Sequence, residues 1–211
     1  MARYTGPVCR LCRTEGKKLM LKGERCKSDK CAINKKRFAP GKDPKGRVGK
    51  RSDYGTQLRE KQKLKRIYGM QESQFRLFFY RAQRMSGITG ELLFVLLERR
   101  LDNVVYRLRF ASSRSQARQL VLHGHVQVNG KRVNIPSFLV KPEDVISIQE
   151  SSRSLVIIKE ALKEYGRSGV MPWFQLDPDQ MKGTFLANPR RSDITDLADI
   201  KEQMIVEYYS K

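Results

Sequence analysis

The chain has 211 residues, 39% apolar and 31% charged, with 43 Lys and Arg against 22 Asp and Glu for a formal net charge of +21. That length and apolar content allow a real core, and so large a basic excess calls for a polyanionic partner, best met by nucleic acid, where phosphate neutralisation releases condensed counterions. An anionic membrane is set aside, because there is no apolar run long enough to span a bilayer and no secretory or lipidation signal, and Gly, Pro and Cys interrupt the basic residues.

The charge is concentrated at the start. Residues 1 to 66 hold 22 basic and 6 acidic residues, a net +16, while the rest hold 21 and 16, a net +5. With no signal segment the expected compartment is the reducing cytoplasm, where cysteines hold metals more often than they pair as disulfides.

All four cysteines fall in this basic stretch, as Cys9-x2-Cys12 and Cys26-x4-Cys31 with thirteen residues between the pairs. Two pairs on short turns that close a loop suit tetrahedral thiolate coordination, so a single zinc ion is expected, and the spacing leaves a 4Fe-4S cluster open as the alternative. Residues 1 to 40 have few large apolar groups (Val8, Leu11, Leu19, Met20, Leu21, Ile33, Phe38), so a metal would supply folding free energy that the local core lacks. Four thiolates leave no open position, which makes such a site structural. Around it Arg3, Arg10, Arg13, Lys35, Lys36 and Arg37 are candidate RNA contacts.

From Phe38 to Arg51 the chain is rich in Pro, Gly, Lys and Arg, which is linker chemistry, and Arg47, Lys50 and Arg51 are further RNA candidates there. Ser52 or Asp53 caps a helix that runs toward Tyr68 and stops at Gly69. Its basic residues, Arg59, Lys63 and Arg66 among them, are expected to face RNA. A second helix places Phe75, Phe78, Phe79, Ala82 and Met85 on one side, a stripe read as core, with Arg76, Arg81 and Arg84 elsewhere around the cylinder. A third begins near Thr89 and buries Leu92, Leu93, Leu96 and Leu97.

The segment from Glu98 to Ile148 opens with the helical stretch Leu101 to Leu108. Ser113-Arg114-Ser115-Gln116 then has the form of a capping box for a short helix that Gly124 ends. Val126 and Val128 alternate with polar residues, Asn129-Gly130 is a strong hairpin signal, and Val133 and Ile135 are expected on the returning strand, with Val145 to Ile148 as a last strand. Two short helices and a small sheet edged by Arg114, Arg118, His123, Lys131 and Arg132 suit an electropositive groove against a phosphate backbone. Further on, Trp173 to Leu176 and Met181 to Phe185 flank Asp177-Pro178 as a hairpin. Asp193 to Glu207 carries five acids against one Lys, which points to a protein neighbour or a self-contact with the basic half.

The segment from Glu98 to Ile148 resembles the α-L type RNA-binding domain of ribosomal protein four, some pseudouridine synthases, bacterial tyrosyl-tRNA synthetases and a heat-shock RNA-binding protein. Met1-Ala-Arg-Tyr-Thr-Gly-Pro, Ser52-Asp-Tyr-Gly-Thr-Gln-Leu-Arg-Glu-Lys-Gln, Arg66-Ile-Tyr-Gly, Glu98-Arg-Arg-Leu-Asp-Asn-Val-Val-Tyr-Arg-Leu and Ile205-Val-Glu-Tyr-Tyr-Ser-Lys select among these, and over nearly the whole length the chain resembles the bacterial small-subunit ribosomal protein four family, in a cysteine-containing zinc form. The resemblance implies an α+β fold: a metal-bound N-terminal segment and linker (1–45), a helical domain (46–97), an inserted α-L domain with two short helices and a small sheet (98–150), and a C-terminal return to the helical domain (151–211). It implies a non-enzymatic constituent of the cytoplasmic small ribosomal subunit. Such a protein is a primary binder of the rRNA 5′ domain that nucleates assembly, lies beside ribosomal protein five near where mRNA enters, and affects translational accuracy. Arg47, Lys50 and Arg51 match the family's mRNA-facing positions. The cysteines vary across the family, so the metal is expected to aid folding of the N-terminus only.

Catalysis is not expected. His123 and His125 flank a turn with no nucleophile motif nearby, no phosphate-cradling Gly-rich loop occurs, and the stretch after Ile148 is too short for a synthase domain. No small-molecule substrate is implied. The alternative function is a free-standing RNA-binding translational regulator, and a zinc-dependent DNA-binding regulator ranks third.

Overall fold

A computed structural model describes residues 3–35, 38–41, 49–163 and 169–210. It shows two compact units, one formed by residues 1–93 with 195–211 and the other by residues 94–194.

The first unit contains α1 (Val8–Glu15), α2 (Glu24–Lys27), α3 (Asp53–Ile67) and α4 (Glu72–Gln83), and the C-terminal helix, here α9 (Glu202–Tyr209), packs against α3. Ser52 starts α3 by accepting a hydrogen bond from the Gly55 N–H at 3.2 Å, and Gly69 follows it in the left-handed conformation, φ +62°, that ends a helix without a Cβ penalty. Helix α4 buries Phe75, Phe78, Phe79 and Ala82, and the Tyr209 ring of α9 lies 4.5 Å from that of Phe79. A buried Phe contributes about 1.5–3 kcal/mol, so this aromatic stripe is the main apolar anchor of the unit. The C-terminal self-contact expected of the acidic stretch is present, since Asp199 pairs with Lys17 and Glu207 accepts from Gln57 at 2.7 Å.

Helix α5 (Thr89–Glu98) carries the chain into the second unit. There α6 (Leu101–Arg107) packs on α7 (Arg114–Leu122), and β1 (Val126–Val128), β2 (Lys131–Arg132) and β3 (Val145–Ile148) follow. Helix α8 (Val156–Lys163) precedes a hairpin of β4 (Phe174–Asp177) and β5 (Lys182–Phe185). The five strands form one antiparallel sheet in the order β2-β1-β3-β5-β4, with Val126 opposite Ile148 and Val145 opposite Thr184. Gly183 on β5 faces α6 so closely that a Cβ would fall 2.4 Å from Leu108 Cδ2, a site where only glycine lets sheet and helix close together.

Several local expectations change. The hairpin at 174–185, expected in the C-terminal return to the helical domain, extends the sheet through β3–β5 pairing, and the compact second unit runs to Ile194. The strand after Asn129-Gly130 is only Lys131–Arg132; Val133 still donates to the Val126 carbonyl at 3.2 Å, but Ile135 lies beyond the pairing and is 52% exposed. Asn129 and Gly130 do take the paired positive φ values, 49° and 74°, of a tight hairpin turn. Ser113 caps α7, but Gln116 turns its side chain to the Ser112 N–H at 2.7 Å, one residue before the position of a true capping box.

Candidate nucleic-acid interface

In the second unit the helices are held by a buried polar network. Arg100, 0% exposed, donates to both carboxylate oxygens of Asp102, at 3.2 and 2.9 Å, and Arg118 donates to Asp102 Oδ2 at 3.1 Å. Beside them Glu98 accepts from Arg107 at 2.9 and 2.7 Å and from the Asn103 amide at 2.8 Å, and Asn103 in turn accepts from Arg114 Nε at 2.8 Å. The Arg114 guanidinium also lies 4.5 Å over the Tyr106 ring. These carboxylates neutralise the arginines that would otherwise be stranded in a low-dielectric interior.

This corrects one expected contact and qualifies another. Arg118, only 5% exposed, points inward to Asp102 and cannot offer its charge to an outside phosphate, while Arg114 is half-buried over Tyr106. Asp102 is the one acid between Arg99 and Pro142, and a lone carboxylate at the start of a helix in so basic a stretch was the available sign of an internal partner.

Outside the network, His123, Lys131 and Arg132 are exposed. His123 is the last residue of the α7 turn, and Arg132 reaches back from β2 to donate to its carbonyl at 3.2 Å. Gly124, φ +76°, makes this possible, for a Cβ there would fall 2.1 Å from Arg132 Nε. The His125 ring is 6.0 Å from that of His123 and hydrogen-bonds Ser152 Oγ at 2.8 Å. Burial, then the nearby His123 and Arg132, lower its pKa and favour the neutral ring. The residues that remain outward at this edge of the sheet thus present a lysine, an arginine and a histidine together, a surface suited to phosphate oxygens.

In the first unit, Cys9 and Cys12 sit on one face of α1, not on a short turn, with Cys26 on α2 and Cys31 just beyond it. Cys12, Cys26 and Cys31 are buried, and none of the four is disulfide-bonded. Burial raises the Cys12 pKa, a hydrogen bond with the Leu19 backbone opposes it, and Cys26, Cys9 and Cys31 add to the rise. The Lys22 N–H donates to Cys26 Sγ at 3.3 Å, as a backbone amide does to a thiolate ligand. Four thiols are the soft donor type that zinc takes. Among the described residues, however, no three His, Cys, Asp or Glu side chains are gathered tightly enough to hold an ion.

The basic face of α3 is largely spent on internal pairs. Arg59 donates to Glu15 at 3.3 Å, Arg66 pairs with the same carboxylate, and Lys63 pairs with Glu60. Lys61 and Lys65 each reach Glu72 at 2.7 Å, and Tyr209 OH donates to it at 2.8 Å. Burial works against ionisation of Glu72, but these three donors outweigh it and hold its carboxyl at about 2, while burial and the bond to Glu72 push the Tyr209 phenol up. Arg3, Arg10, Lys35, Lys50 and Arg51 are exposed, and Arg13 donates to the Phe38 carbonyl at 2.9 Å. Lys36, Arg37 and Arg47 lie outside the described residues.

Two family models match consecutive stretches: the ribosomal protein S4/S9 N-terminal domain over residues 3–98 and the S4 domain over residues 99–146. Along all 211 residues, and over the full length of each relative, the chain is 58% identical to the small ribosomal subunit protein uS4 of Citrifermentans bemidjiense. It is likewise 57% identical to that of Pelobacter propionicus and 56% to that of Syntrophotalea carbinolica. The chain belongs to the uS4 family. Its S4-domain match covers α6, α7, β1, β2 and the start of β3, and so includes both the buried Arg100, Asp102 and Arg118 and the exposed His123, Lys131 and Arg132. Among the described residues no helix is long and apolar enough to cross a membrane.

Proposed function

We propose that this uS4-family chain is a non-enzymatic, structural constituent of the small ribosomal subunit in the cytoplasm and that it binds small-subunit rRNA. The full-length likeness to proteins named for that subunit supports this most directly, and the net charge of +21 supplies the electrostatic means. In finer detail, the chain binds a multi-helix junction in the rRNA 5′ domain early in assembly. It lies beside ribosomal protein five near where mRNA enters, with Lys50 and Arg51 on the mRNA side, and so influences accuracy. Support for a junction in preference to a rod comes from the basic residues being spread over two compact units, because a folded RNA can engage both and gain effective concentration for the second contact. The cysteines hold a zinc ion whose task is to order residues 1–40, a reading that rests on the Cys9-x2-Cys12 and Cys26-x4-Cys31 spacing and the burial of Cys12, Cys26 and Cys31.

Co-sedimentation of the tagged chain with small subunits in cell lysate tests the first claim. A chain that stays at the top of the gradient would point to a free-standing regulator instead. Binding of the intact chain to the 5′-domain junction and to duplex RNA of equal length, across a salt series, tests the second, and equal affinities would leave only a polycation. Metal analysis of protein purified without chelator tests the third. About one zinc per chain is expected, and a substoichiometric value would remove the metal from the reading.

A further inference from the structure

The charge pattern of the first unit is the reverse of what helix α3 alone suggests. Each of the basic residues Arg59, Lys61, Lys63, Lys65 and Arg66 on α3 has a carboxylate partner, whereas α4 turns Ser73, Arg76, Leu77, Tyr80, Arg81 and Arg84 to solvent, opposite its buried Phe75, Phe78, Phe79 and Ala82. These outward positions follow the three- and four-residue spacing of a single helix face. No acid occurs in the chain from Ser73 to Gly90, and the carboxylate at the start of α4, Glu72, is already engaged by Lys61, Lys65 and Tyr209. Among the described residues neither Arg81 nor Arg84 forms an ion pair.

The face has more than charge. Arg76 donates to the Tyr80 hydroxyl from Nε at 3.2 Å and Nη2 at 3.0 Å, and its guanidinium carbon lies 5.3 Å from the centre of the Tyr80 ring. A guanidinium held against an aromatic loses less conformational freedom when it meets a phosphate, and the ring beside it can take a ribose or an unstacked base. Leu77, 59% exposed, adds a small apolar contact to the same face. From Arg76 to Arg84 the helix rises about 12 Å, enough to follow a backbone over several nucleotides.

We propose that this face of α4, carried by Arg76, Tyr80, Arg81 and Arg84, is an RNA-backbone contact surface of the first unit. The assignment rests on the rRNA-binding reading and adds to it a surface distinct from the sheet-edge residues His123, Lys131 and Arg132. An acidic protein partner would also meet arginines, but three of them without an intervening acid, arranged around a braced aromatic, fit the regular negative charge of RNA better.

The test uses the full-length chain and two probes, a transcript of the rRNA 5′-domain junction and a duplex of equal length, each titrated across a salt series. One variant carries Arg76→Gln, Arg81→Gln and Arg84→Gln. The comparator carries Arg59→Gln and Arg66→Gln. The α4 variant should keep the wild-type thermal midpoint, because its side chains are outward, while the salt slope for the junction becomes shallower by about 2 to 3 units. The comparator should melt earlier with the slope largely retained. A photoreactive residue in place of Leu77 should cross-link to the junction RNA. If the unaltered chain prefers the junction and the α4 variant binds with the same slope and affinity, the α4 contact is wrong, and the same follows if the cross-linker at position 77 captures only protein in assembled subunits. If the unaltered chain shows no preference for the junction, the ribosomal reading itself falls and takes this contact with it.

Discussion

Arg118 and Asp102, sixteen residues apart, meet at 3.1 Å where α7 packs on α6, and Arg100 donates to both oxygens of the same carboxylate. One buried anion therefore answers two buried cations. Removing it takes from both guanidinium groups the carboxylate they share, in an interior that solvates charge poorly. Asp102→Asn should destabilise the second unit by about 3–5 kcal/mol, the range for breaking one side of a buried pair. Urea unfolding followed by a probe in that unit measures this, and a loss below about 1 kcal/mol would mean that water reaches the network.

Glu72 gives a pH-dependent prediction in the first unit. Its carboxyl sits at about 2 in the fold against an ordinary 4.5, so the folded state favours the ionised form. The stabilisation this confers is present in full above about 4.5 and is lost as pH falls toward 2. Glu72→Gln should accordingly be less stable than the unaltered chain at neutral pH, with the gap closing between those two values. The carboxylate is partly exposed, so solvent screening keeps the gap modest. Denaturant midpoints of both proteins measured from neutral to acid pH check the sign, and a gap that widened on acidification would contradict it.

Local signals in the sequence reported local structure well. Ser52 and Gly69 bound α3, the phenylalanine stripe is the core of α4, and Asn129-Gly130 makes the hairpin turn, because capping, helical periodicity and left-handed turns depend on neighbours within a few residues. What was hidden was long-range. Nothing near Lys182 tells that β5 will pair with β3 across more than thirty residues, and Arg118 looks like any surface arginine until Asp102 is placed beside it. The same limit explains the basic residues of α3. Their charges are plain in the sequence, but apart from Glu60, which pairs with Lys63 within α3, their partners Glu15 and Glu72 lie on other helices, so internal pairing and an RNA-facing side look alike until the fold is known.

Gly124 couples the turn after α7 to the surface. Alanine there must adopt φ +76° and would also press on the Arg132 guanidinium. The left-handed conformation costs an alanine about 1–2 kcal/mol, and the flexible arginine can swing away from the His123 carbonyl. Gly124→Ala should therefore show a small loss of stability together with weaker RNA binding. Gly130→Ala has the same backbone penalty with no side chain within 4 Å, so it should lose similar stability but bind RNA as before. Thermal midpoints and filter binding on the two variants separate strain from contact, and equal binding by both would show that the placement of Arg132 does not matter.

The sheet-edge cluster and the buried network can be told apart by one pair of variants, because charge that faces RNA and charge that holds the fold respond to different measurements. Lys131 and Arg132 are exposed, and the hydrogen bond from the Arg132 side chain to the His123 carbonyl is at the surface. Lys131→Gln with Arg132→Gln should leave the unfolding midpoint within error and make the salt dependence of RNA binding shallower by roughly one unit for each phosphate no longer neutralised. Arg114 and Arg118 are tied to Asn103, Tyr106 and Asp102, so Arg114→Gln with Arg118→Gln should lower stability first. Where that protein remains folded, at low temperature, its salt slope should stay near the unaltered value. Measuring phosphate neutralisation by slope and stability by denaturant on the same preparations makes the two outcomes independent. A shallower slope on replacing the buried pair, with stability intact, would mean that α7 turns its arginines outward when RNA is bound, and Asp102 would then be a latch for the free protein instead of a permanent counter-ion.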